Sequence, residues 1–221
     1  MISFALAFLF ASTLLLVIFI LFSILNYKNR FKMSYDLRNH YPYELNYNGQ
    51  FKDNLIGNVA IIASTIFSVA FYCLFNNQYT NGFFLFVLIA GCIYSVILAS
   101  LVFVSLKYLK LHLTLVLFSI VLSFLIPFAN AMACSLNYRD TNEAKSLVMA
   151  IINAVYCLFI FILMMNPRLS HWAELKEEKN NDGTVKYVRP KVFILAFIEW
   201  AIILSSPILM ILTVLTQHFV G

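Results

Sequence analysis

Six stretches of this chain, 3–25, 55–75, 83–106, 113–133, 146–165 and 192–217, are long and apolar enough to cross a bilayer, and among their Asp, Glu, Lys and Arg positions there is only Glu199. A helix rising about 1.5 Å per residue needs about 20 residues to cross a hydrocarbon layer of about 30 Å. Lipid offers backbone N–H and C=O groups no hydrogen bonds, so only helices and closed barrels cross it. A barrel would show strands of about ten residues with alternating polarity, separated by turns. Here the apolar runs are unbroken, and a chain of 221 residues holds only 6 Gly and 5 Pro. The predicted fold class is an all-α membrane protein with six transmembrane helices, forming one polytopic domain over 1–221. At 62% hydrophobic and 11% charged residues, the chain lies far from the roughly 45–50% and about 25% of soluble domains.

The first stretch lacks a basic leader and a small-residue cleavage site, and Lys28, Arg30 and Lys32 follow it as a stop-transfer flank. It therefore reads as a retained span and not as a signal peptide. Of the 15 Lys and Arg residues, 13 fall in the first, third and fifth connections, against Arg139 and Lys145 on the other side. The positive-inside rule places the loaded side in the cytoplasm, with both termini outside and two longer cytoplasmic loops, 26–54 and 167–191. The net charge of +5 follows from that asymmetry and calls for no nucleic-acid partner.

The short connections between the second, third and fourth spans predict consecutive antiparallel neighbours. Loop 26–54 is rich in tyrosine, which suits a segment at headgroup level, and Pro42 breaks any helix there. Tyr35, Tyr41, Tyr43 and, in the other loop, Trp172 are candidates for docking a partner, either another membrane protein or a cytoplasmic one. In loop 167–191, Asn180-Asn181-Asp182-Gly183 is a turn signal before alternating Thr184–Val188. It predicts either a β-hairpin or a loose charged linker.

Glu199 is the principal candidate for an intramembrane functional residue. A carboxylate at mid-bilayer costs roughly 2.5–3.5 kcal/mol on insertion scales. It is expected to bind a proton or cation, to pair with a loop Lys or Arg, or to hydrogen-bond a neighbouring helix, with Trp200 marking a shallow, interfacial depth. Asn58, Asn130 and Asn153 are candidates for interhelical hydrogen bonds. Ser64, Ser68, Ser95 and Ser100 supply the midplane with small polar groups. Pro127 and Pro207 are positions where a kink would open a cavity. The cysteines, Cys73, Cys92, Cys134 and Cys157, form no CxxC pair and read as apolar filler, with Cys73–Cys134 the pairing this topology would allow at the outer boundary.

Asp36, His40 and Glu44 recur at a spacing of four, as metal ligands on one helix face would, but Pro42 interrupts that face. His112, His171 and His218 stand apart and form no ligand pattern. No G-x-S-x-G, H-E-x-x-H, P-loop or G-x-G-x-x-G occurs, and neither cofactor nor metal is expected. The heavy use of Phe, Ile, Asn, Lys and Tyr suits an AT-rich bacterial genome, and hence a bacterial plasma membrane. The leading expectation is a non-catalytic protein acting by contact, as an accessory subunit of a membrane assembly or an immunity-type protein. The alternatives are a small transporter or channel subunit with Glu199 as its ion- or proton-linked group, and a membrane-embedded enzyme.

Overall fold

The structure, a computed structural model, describes residues 2–46, 51–75, 82–165, 176–179 and 185–220. Its elements are α1 (Ile2–Phe31), α2 (Leu55–Phe75), α3 (Gly82–Phe103), α4 (Leu109–Thr141), α5 (Ala144–Met164), β1 (Lys176–Lys179), β2 (Val185–Val188) and α6 (Ile194–Val220). All six helices are long and apolar enough to cross a membrane. The chain is a multi-pass membrane protein whose outer helix faces suit contact with lipid. α1 and α4 outrun their predicted spans, because helical hydrogen bonding continues into water once begun. Each then stops at a left-handed residue: Lys32 (φ 55°) donates its N–H to the Lys28 carbonyl, and Asn142 (φ 57°) donates to Tyr138. Asparagine tolerates this conformation better than most residues.

α6 is the hub. It touches α1, α3, α4 and α5, while sequence neighbours α1–α2, α2–α3, α3–α4 and α4–α5 pack side by side around it. Over their most apolar windows, 56% of α6 is buried but only 22% of α1, so α1 presents most of its surface, including Phe4 and Phe10, outward.

Lipid tails are as apolar as leucine, so close packing and polar contacts, rather than hydrophobicity, hold such helices together. On α1 and α2, Ser12 donates to the Ser64 carbonyl (3.0 Å), Ser64 returns a bond to the Ser12 carbonyl (2.8 Å), and the Ser12 and Ser68 hydroxyls lie 2.6 Å apart. Gly57 permits this approach, and Gly91 that of α3 to α2. A Cβ at Gly57 would collide with Ser23 and Asn54, and one at Gly91 would enter the Tyr72 ring.

Several particulars depart from the sequence reading. Asn58 donates to the Phe51 carbonyl within its own segment (3.0 Å) and not across helices. All four cysteines are free, as expected of filler within helices, but the pairing allowed for Cys73 and Cys134 is not formed: Cys73 lies 3.8 Å from Cys92, and Cys134 is buried near the far end of α4. Pro127 and Pro207 both lie inside continuous helices, α4 and α6, and Ser205 and Ile208 on either side of Pro207 line a groove. Asn130 is fully buried and makes the interhelical bond expected of it, to Thr213 of α6. The strands β1 and β2 form the antiparallel hairpin, with Lys176 opposite Val188 and Lys179 opposite Val185. Trp172 lies outside the described residues.

Candidate functional site

The residues flanking Glu199 determine where it points. Phe193, Leu195, Ala196, Trp200 and Ile203 are all buried, so the face of α6 that carries Glu199 is its inner one. α4 begins at Leu109, and His112 in its first turn meets that face. The His112 Nε2 and Glu199 Oε1 lie 2.8 Å apart, and both side chains are completely buried. The His112 Nδ1 lies 2.7 Å from the Val104 carbonyl. A carbonyl only accepts, so Nδ1 carries a hydrogen. One further proton then lies between Nε2 and Oε1. The pair is either an imidazole bonded to a carboxylic acid or an imidazolium bonded to a carboxylate, and both forms are neutral overall. Burial of an isolated charge is thereby avoided. The second carboxyl oxygen, Oε2, is buried without a hydrogen-bond partner among the described residues.

Residues 33–46 form a cap over the pair. Pro42 starts a short 3-10 turn (Pro42–Asn46), a position that suits its fixed φ and missing N–H. Glu44 folds back to accept the Tyr41 N–H at 3.0 Å, in the manner of a capping box. The Tyr41 and Tyr43 rings meet the His112 ring edge to face, at centroid distances of 6.1 and 5.6 Å. Tyr35 donates to the Tyr41 carbonyl (2.7 Å), and the Trp200 indole N–H donates to the His40 carbonyl (2.9 Å).

Arg189 closes the edge. Its guanidinium makes a two-pronged bond to Glu44 (2.6 and 3.0 Å) and lies over the Tyr41 and Phe193 rings at 5.3 and 5.8 Å. Burial works against that charge, but the hydrogen bonds and charge of Glu44 outweigh it and raise the Arg189 pKa. Burial, assisted by the charge of Glu44, pushes the Tyr43 phenol up to about 12. Burial also raises Tyr35 and Tyr41.

A file of buried polar positions runs along α4 and another along α6, and the His112–Glu199 and Asn130–Thr213 contacts join the two helices. α4 contributes His112, Ser119, Ser123 and Asn130, and α6 contributes Glu199, Ser206, Thr213 and Gln217. These positions are separated by seven or four residues, the spacing that keeps one helix face toward its partner. Asn130 donates to Thr213 (3.2 Å), Asn153 of α5 donates to Thr216 (2.9 Å), and Asn137 donates to Ser146 (2.8 Å). The Oδ1 atoms of Asn130 and Asn153 have no hydrogen-bond partner among the described residues.

These placements revise several expectations. Of the partners expected for Glu199 it meets a neighbouring helix and not a loop Lys or Arg, and that partner, His112, does not stand apart. Trp200 is 1% exposed, inside the bundle and in contact with the cap through its bond to the His40 carbonyl, and so its ring does not face lipid. Tyr35, Tyr41 and Tyr43 turn inward, with Tyr41 2% exposed, so their rings are already engaged within the chain. In keeping with the break at Pro42, Asp36, His40 and Glu44 form no shared ligand face: Asp36 pairs with Arg38 and Glu44 with Arg189. No group of three or more potential metal ligands occurs among the described residues. The repeat His112, Ser119, Asn130 was the one sequence signal that would have tied His112 to an inner face. None of the protein-family models, curated proteins or solved structures compared with the chain matches it.

Proposed function

We propose that this chain is a small proton-conducting membrane transport protein in which Glu199, together with His112, takes up and gives up the transported proton. One observation carries the reading: a fully buried carboxyl–imidazole pair, 2.8 Å apart, stands at one end of the buried polar positions of α4 and α6. Ionisable groups at membrane depth are costly, and proton relays are among their chief uses. In this reading the basic end faces the cytoplasm of a bacterium, across its plasma membrane, and the cap over His112 controls exchange with that side.

Purified protein in sealed vesicles, with an imposed potassium diffusion potential and an internal pH dye, tests the idea. The wild type should admit protons well above empty vesicles, while Glu199→Gln inserts equally and falls to background. A wild type that matches empty vesicles, or a Glu199→Gln variant that conducts as well as the wild type, refutes it. Orientation is tested by single cysteines in a cysteine-free background. Asn142→Cys should react with an impermeant thiol reagent in intact cells and Asn180→Cys should not; the reverse pattern overturns the assignment.

A second reading, a protein acting by contact as accessory subunit or immunity-type protein, draws on the β1–β2 hairpin and the outward face of α1. It predicts one partner at near-equal amount in mild-detergent pull-downs, lost when 176–188 is deleted.

A further inference from the structure

Between α5 and α6, with Ile120 and Ser123 of α4 also contributing, a groove of about 390 Å³ on the side of α6 away from Glu199 is lined by apolar side chains, with Ser123, Tyr156 and Ser205 as its polar residues. Its α6 wall runs from Ile194 to Ile208, about 21 Å at the helical rise per residue. Half of a hydrocarbon core of about 30 Å is about 15 Å, so the groove accommodates the depth of one leaflet. It opens sideways past Phe159, Phe197 and Leu204, which are 56%, 46% and 45% exposed and face outward between two membrane-crossing helices. At the basic end the wall reaches Val192, and Lys191 immediately before it is exposed. No ion pair to Lys191 occurs among the described residues.

We propose that this groove is a binding site for one anionic phospholipid, with an acyl chain lying along α6 and the headgroup against Lys191. The shape of the groove selects the chain, and the cation at its mouth selects the sign of the headgroup. Lysine at the polar boundary attracts anionic lipid by charge and needs no directed geometry. The site stands apart from the His112–Glu199 pair and does not depend on its role.

The test is native mass spectrometry of the full chain, delipidated in detergent and then titrated with phosphatidylglycerol or phosphatidylcholine of identical acyl chains. One phosphatidylglycerol per chain should be retained, at least tenfold more tightly than phosphatidylcholine. Ala201→Phe, which fills the groove, should weaken retention at least tenfold, while Ile152→Phe on the outward face of α5 leaves it unchanged. Lys191→Glu should erase the preference between headgroups. If Ala201→Phe does not fold, Ile208→Trp blocks the same groove from its far end. Equal retention by the filled variants, an unaltered preference in Lys191→Glu, or a lipid-free dimer closed over this face would each overturn the proposal.

Discussion

Removing one member of the His112–Glu199 pair should cost very different amounts depending on what replaces it. Glu199→Gln keeps an N–H donor opposite Nε2 and leaves the Nδ1–H bond to Val104 (2.7 Å) in place. The change exchanges a strong proton-sharing bond for a neutral one, at about 1 kcal/mol. His112→Ala removes both bonds at once. The Val104 carbonyl and the whole Glu199 carboxyl are then left unpaired, at about 1–3 kcal/mol each, and the missing ring leaves a cavity. The total, roughly 3–5 kcal/mol, agrees with the cost of breaking a buried pair from one side. Replacing both residues by leucine removes the stranded groups, so His112→Leu/Glu199→Leu should be more stable than the two single leucine variants predict together. The coupling energy should be about 2–3 kcal/mol. Equilibrium unfolding in mixed micelles, followed by circular dichroism as the denaturing detergent fraction rises, measures all of these. If Glu199→Gln destabilises as much as His112→Ala, or the single leucine effects add to within about 0.5 kcal/mol, the two side chains do not share a proton in a closed site.

Three further outcomes follow from the cap and the packing. Glu44→Gln, which removes the charge opposite Arg189, should loosen residues 33–46; their amides should exchange with deuterium about fivefold faster, the equivalent of about 1 kcal/mol for a partly exposed pair, while those of α2 and α3 are unchanged. Gly91→Ala should destabilise the bundle by about 1–3 kcal/mol, because its methyl group would enter the Tyr72 ring; a Tyr72→Leu change in the same chain should recover part of the loss in a thermal unfolding assay. Tyr43 ionises near 12 when the cap is closed, against an ordinary 10.0. Its neutral form is the one favoured by folding, so its contribution is complete below pH 10 and is lost as pH rises through about 12. The tyrosinate absorbance difference between wild type and Tyr43→Phe should therefore develop near the upper value, and one that develops near 10 would show the phenol to be open to water.

The apolar runs of the sequence are enough to establish six membrane-crossing helices, because transfer into lipid is a property of each segment taken alone and accumulates over about 20 residues. The hairpin at 176–188 was legible for a similar reason, since a turn signal and the flanking alternation are local. Glu199 stood out on composition alone, as the one acidic or basic side chain within an apolar run. Its partner did not, because His112 lies 87 positions away beside a span boundary, and its inward turn depends on how α4 is rotated about its own axis. Lipid-facing and protein-facing sides of such a helix are almost equally apolar, so hydropathy says little about rotation. The spacing of His112, Ser119, Ser123 and Asn130 held that information, but only beside the matching face of α6 does it become a file. The tertiary structure alone decided that the cap tyrosines turn inward over His112, that Cys73 neighbours Cys92, and that Asn130 and Asn153 both reach α6. Each of these depends on which helix faces meet, and in a bilayer that is determined by close packing and a few buried hydrogen bonds between elements distant in the chain.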